Sequence, residues 1–172
     1  DGMTTDTRGV PARHRSMRAV MDWSCALLGD HERRALEQVS VFHGGFSTEA
    51  ALAVAQGAED VPGALAGLHD KSLLQVETLH GRTRYGMLAP VRDYALERLG
   101  DGAMPCVHRA ARYFCELAAG LSVGDALSDL QLAAEELENF RAALAWAREQ
   151  GECELLALAM CRIWPLMNLQ GA

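Results

Sequence analysis

One segment breaks the pattern of this chain. Residues 72–77 (Ser-Leu-Leu-Gln-Val-Glu) and 83–88 (Thr-Arg-Tyr-Gly-Met-Leu) are extended runs joined by a short turn containing His80 and Gly81. Nearly everything around them spaces its apolar residues as a helix does. Two such runs about one turn predict a β-hairpin. A chain with one small hairpin set among helices has few folds open to it.

The segments before the hairpin narrow the choice. Met17, Val20, Met21, Ser24, Leu27 and Leu28 share one helical face, with Ser16 able to cap it and Gly29 to stop it. A second helix is expected from Asp30 through Leu36 and Val39 toward Phe42, and His43-Gly44-Gly45-Phe46 must turn. Ser47-Thr48-Glu49 opens a third over 50–56, and Asp60 caps a fourth over 60–70. Several helices followed by a two-stranded hairpin is the element order of a winged helix. Pro90 suits the first turn of the next helix, 91–99, because its missing N–H is harmless there.

Gly100-Asp101-Gly102 marks the expected boundary, and beyond it the pattern is helical throughout. Val107, Ala110, Ala111, Phe114, Leu117, Ala118 and Leu121 trace one stripe. Leu130, Ala133, Leu137, Phe140, Leu144 and Ala147 trace another. Residues 155–169 are apolar nearly all round, broken by Pro165, so the natural chain is expected to continue past Ala172 or to self-associate. The reading is mainly α: a linker over 1–12, a winged-helix domain with one small β-hairpin over 13–100, and a helical array over 101–172.

Charge supports that division. Residues 116–154 hold nine acids against two bases and carry the whole net charge of −7, while the rest of the chain is neutral. The split argues against a protein that coats nucleic acid by charge alone. Five scattered cysteines inside helical patterns fit free thiols in a reducing cytoplasm. No stretch approaches the ~20 apolar residues of a membrane span, so a soluble cytoplasmic chain without membrane contact is expected.

Catalytic and ligand-binding patterns are weak. Gly67-Leu-His-Asp-Lys71-Ser72 imitates the end of a phosphate loop, but Asp70 replaces its glycine and the segment runs from helix into strand. Lys71 is better read as ending a helix. Cys106, His108 and Cys115 are the nearest approach to a metal or thiol site, without a C-x-x-C partner. Glu135-Glu136 reads as solvated surface. For DNA, the helix over 60–70 should enter the groove, yet it carries Asp60, Asp70 and only His69 as a potential cation before Lys71. Arg82 and Arg84 on the wing, with Arg8, Arg13, Arg15 and Arg18, offer some positive charge.

Ordered residues carry a family resemblance. Arg13-x-Arg15-Ser-Met-Arg-Ala-Val-Met-Asp-Trp23-Ser, Leu27-Leu28, Val39-Ser-Val-Phe42-His-Gly-Gly-Phe46, Leu68-x-Asp70-Lys71-Ser72-Leu73, Arg84-Tyr85-Gly-Met-Leu and Val91-Arg92-Asp-Tyr94-Ala95-Leu-Glu97-Arg-Leu99 follow one another. This succession resembles the segment after the nucleotide-binding core of actinobacterial STAND-type regulatory ATPases, relatives of the NB-ARC class. Glu135-x-x-x-Asn139-Phe-Arg141-Ala-Ala-Leu144-Ala-Trp146-Ala resembles the start of their tetratricopeptide-like array.

The resemblance implies a winged helix that packs on its own ATPase domain and passes nucleotide state to downstream helical repeats. ATP or ADP would be bound upstream, with no cofactor here. Where NB-ARC relatives often carry Met-His-Asp, this chain has Met87, Leu88 and Ala89, which cannot hydrogen-bond a phosphate through their side chains. Trp23, Phe42, Phe46, Tyr85, Met87 and Tyr94 are expected to form the module's core. Arg92, Arg82, Arg84 and Trp164 are the candidate interaction residues, with a helix ion pair to Asp93 or Glu97 as the plainer role for Arg92.

The leading expectation is therefore a non-catalytic regulatory fragment of a STAND ATPase transcriptional regulator. The alternative is a winged-helix DNA-binding regulator with a helical dimerisation tail. A third, a small helical enzyme, would rest on Cys106, His108 or Cys115.

Overall fold

A computed structural model of the chain describes residues 12–57, 59–121, 127–154, 156–157 and 159–162. Helix α1 (Ala12–Ala26) leads to α2 (Asp30–Val39), a two-residue strand β1 (Phe46–Ser47), α3 (Thr48–Val54) and α4 (Val61–Asp70). The hairpin β2 (Gln75–Leu79) and β3 (Arg82–Gly86) follows, then α5 (Ala89–Leu99) and a 3-10 turn (Gly100–Gly102). Helices α6 (Ala103–Gly120), α7 (Leu127–Glu135) and α8 (Leu137–Gln150) complete the assigned elements, and helical residues recur as far as Arg162. This is a mainly helical chain in which a winged helix is followed by helices.

Local chemistry explains the boundaries. Gly29 caps α2, and the Glu32 carboxylate reaches back to accept the Gly29 N–H at 2.9 Å, so Asp30 lies inside the helix and is not its cap. The Ser47 hydroxyl accepts from Ala50 N at 3.2 Å, and Asp60 accepts from Gly63 N at 2.9 Å, which starts α3 and α4. At the hairpin tip His80 and Gly81 adopt φ of 48° and 78°, the left-handed pair that a tight antiparallel turn requires.

The sheet has three strands in the order β1-β3-β2, all antiparallel, with Phe46 opposite Tyr85 and Val76 also opposite Tyr85. The third strand is a departure from the single hairpin expected, because two residues are too few to show a period. It aims Phe46 inward beside Phe42, their rings stacked 4.8 Å apart.

One apolar core runs from the winged helix into the array. Phe114 of α6 meets Phe42 edge-on at 5.9 Å and Phe140 of α8 at 6.0 Å, which joins the two parts across the 3-10 turn. Arg109 of α6 strengthens the joint by donating to the Val54 carbonyl and to Gln38, each at 2.9 Å.

Several expectations need correction. Trp23 is 68% exposed, not core. Helix α1 is held to α5 by a two-pronged Arg18–Glu97 pair at 2.9 Å and by Tyr94 donating to Asp22 at 2.6 Å. That leaves Met21, Cys25 and Leu28 facing the core, while Val20, Trp23 and Leu27 face outward. Helix α1 starts at Ala12, so Ser16 lies within it and not at its N-terminus. The second array stripe divides into α7 and α8 at Glu136, and Leu130, expected inward, is 47% exposed. The expected helix over 155–169 lies mostly outside the described residues, as does the linker expected over 1–12 except for Ala12, which is the first residue of α1.

Candidate interaction site where the wing meets the helical array

Strand β3 alternates its side chains, so Arg82 and Arg84 share the face that looks at the array. The chain there switches from α7 to α8 without a glycine or proline, and Glu136 occupies the break. Glu136 is 2% exposed and Arg84 is 4% exposed. The Arg84 guanidinium donates to the Glu136 carboxylate and, at 3.0 Å, to the Glu135 carbonyl. The two adjacent glutamates expected on solvated surface therefore face the wing.

Asn139, one turn along α8, completes the arrangement. Its amide donates to the other Glu136 oxygen at 2.8 Å and to the Gly45 carbonyl at 2.9 Å, while its oxygen accepts the His43 N–H at 2.9 Å. All four polar groups of this buried cluster thus have partners, as a buried charge demands. Gly45 has to be small: a Cβ there would come within 3.1 Å of the Arg84 guanidinium.

Glu135 grips the tip. Its carboxylate accepts from His80 Nδ1 at 2.7 Å and lies 3.4 Å from Arg82, whose side chain stays 41% exposed. All three basic groups of β3 and its turn are thereby engaged by two residues of the array. Beside them opens a cleft of about 480 Å³, lined by Ser47, Glu49, Thr83, Tyr113, Leu117 and Leu132 among others.

Helix α4, which should enter a DNA groove, is poorly equipped for that work. Its outward residues are Pro62, Gly63, Ala66, His69 and Asp70. His69 Nδ1 lies 3.1 Å from the Leu74 carbonyl, and Lys71 at the helix end pairs with Glu32 at 2.5 Å. That ammonium holds the Glu32 carboxyl below the usual range. This face carries no arginine, asparagine or glutamine, the side chains of the common bidentate base contacts.

Arg92 does not pair with Glu97. Its Nε donates to the Phe42 carbonyl at 2.8 Å, tying α5 to the loop before β1, and Glu97 is held by Arg18 instead. It also borders a cleft of about 320 Å³ with His43, Gly44, Gly45, Met87 and Ala89. Trp164 lies outside the described residues. The third reading loses its chemistry: Cys106 and Cys115 are buried thiols, raised in pKa chiefly by burial, Cys115 to about 11, and His108 stacks on Trp146. Among the described residues no cluster of three metal-ligating side chains occurs, and no helix is long and apolar enough to cross a membrane.

Sequence reasoning found Arg82 and Arg84 but missed Glu135, Glu136 and Asn139 as their partners. The only signal was the acidic bias of the array, which does not say which acids turn inward.

Residues 28–100 match the profile of a winged helix-turn-helix domain. Over 168 residues the chain is 40% identical to proteins of Mycobacterium bovis and Mycobacterium tuberculosis provisionally named HTH-type transcriptional regulators. The match covers 91% of this chain and 19% of theirs, so the chain spans about a fifth of their length. A further Mycobacterium tuberculosis protein, named only as uncharacterized, is 42% identical over 88 residues, 48% of this chain and 22% of its own. No solved structure matches. These matches favour the DNA-binding alternative over the ATPase-coupled reading. Residues 28–100 are a winged helix-turn-helix domain, and the chain is homologous to part of mycobacterial proteins provisionally named HTH-type transcriptional regulators.

Proposed function

We propose that these residues are a non-enzymatic module of a cytoplasmic transcriptional regulator, in which the winged helix is engaged within its own chain and does not itself read DNA sequence. The observation that carries this reading is the burial of Arg84 against Glu136, with Arg82 and His80 held by Glu135. A wing that docks on phosphates would keep those groups in solvent. The unhelpful outer face of α4 points the same way. Coupling to an upstream nucleotide-binding core, with Arg92 as a contact and tetratricopeptide-like repeats downstream, is the finer form of this proposal and rests on the motif resemblance.

The second reading is a sequence-specific DNA-binding regulator, favoured by the names of the mycobacterial relatives. Selection of duplexes from a random library by the purified chain at physiological salt separates the two. The first reading expects no enriched motif. Enrichment of one motif, with affinity falling on Arg82→Ala, would establish the second.

A further inference from the structure

We propose that Glu135 and Glu136 stand in for nucleic-acid phosphates, so that the docked array masks a phosphate-binding edge on the wing. The inference rests on the winged helix being engaged within its own chain, and it assigns that engagement a regulatory purpose.

Three observations carry it. His80, Arg82 and Arg84 lie within five residues on β3 and its turn, and each faces an oxygen of these two glutamates. Adjacent carboxylates reaching a guanidinium and an imidazole offer anionic oxygen acceptors of the kind that a phosphate backbone presents. Second, the Arg84–Glu136 pair is fully enclosed, whereas an apolar pair of similar volume would hold two elements together at least as well. A buried ion pair adds a requirement that apolar packing lacks: separation leaves charges that water or another polyanion can satisfy. Third, the charge is placed asymmetrically. Residues 116–154 of the array carry a net charge of −7 and the rest of the chain is neutral, so a competing anion would be repelled by that part of the array yet attracted by the freed wing edge. In the docked form His80 and Arg82 are partly exposed while Arg84 is not, so the edge is open at its tip and closed at its base.

The partner of the freed edge is duplex DNA, bound through its backbone without base reading, since the outward face of α4 carries no arginine, asparagine or glutamine. Anisotropy of a labelled random-sequence duplex at low salt tests this with three proteins. Wild type should bind weakly. The folded double variant Glu135→Gln/Glu136→Gln should bind about tenfold tighter, with the gain shrinking as salt rises and disappearing when Arg82→Ala is added. Glu138→Gln/Glu149→Gln changes net charge equally on α8 away from the wing and should gain nothing. Equal gain in that control, or no gain in the folded double variant, overturns the proposal. If the double variant does not fold, Glu135→Gln alone must give a gain that Arg82→Ala removes, and its absence overturns the proposal as well. Strong sequence-selective binding by wild type would instead sink the intramolecular reading, a separate outcome.

Discussion

Removing Arg84 should be among the most damaging single changes in this chain. Its side chain is 5% exposed and that of Glu136 is 3% exposed, so Arg84→Ala leaves a carboxylate enclosed with only Asn139 to satisfy it. Breaking one side of a buried pair costs about 3–5 kcal/mol, because the remaining charge keeps its desolvation penalty and loses its compensation. The hydrogen bond from Arg84 to the Glu135 carbonyl is lost too, adding about 1 kcal/mol. Domains of this size are stable by about 5–15 kcal/mol, so the variant should be marginal. Arg84→Met combined with Glu136→Leu removes both charges at similar volume and should recover most of the loss. Urea unfolding followed by circular dichroism at neutral pH gives all the free energies of this cycle. A loss below about 1 kcal/mol in Arg84→Ala, or no recovery in the double variant, would refute the argument, since either means the pair is in water.

Other consequences are testable alongside. Gly45→Ala should cost about 1–3 kcal/mol, because the added methyl group presses on the Arg84 guanidinium and the Tyr85 carbonyl; thermal unfolding would show it, and an unchanged melting temperature would contradict the close approach. Ser72→Gly should stabilise by about 0.5–1 kcal/mol, because Ser72 holds φ at 60° where glycine is unstrained. The Glu32 carboxyl is held below its ordinary value by Lys71, so its contribution is present above the unfolded-state pKa and fades as pH falls through the folded one. Relative to Glu32→Gln, wild type should therefore lose stability on acidification, and parallel pH profiles would remove the effect.

The hairpin was legible because a change of period from helical to alternating is a local signal, and His80-Gly81 named the turn. Asp60 as a helix cap was legible for the same reason. Trp23 was not: its helix has apolar residues on two sides, and only the partner, α5, decides which side is covered. The break at Glu136 was hidden because no glycine or proline announces it; the residue leaves the helix to meet an arginine fifty-two positions earlier. The candidate site follows the same rule. Its cationic half lies on one strand and could be read off, while its acidic half depends on how α7 and α8 dock on that strand.

The central claim, that the wing is held by the array, is tested most directly by the guanidinium resonances of arginine-labelled protein in solution. Arg84 should give resolved, slowly exchanging N–H signals with contacts to the Asn139 amide, and these should vanish in Glu136→Gln. A single averaged, rapidly exchanging set for every arginine would mean that Arg84 is in solvent and that the wing is free.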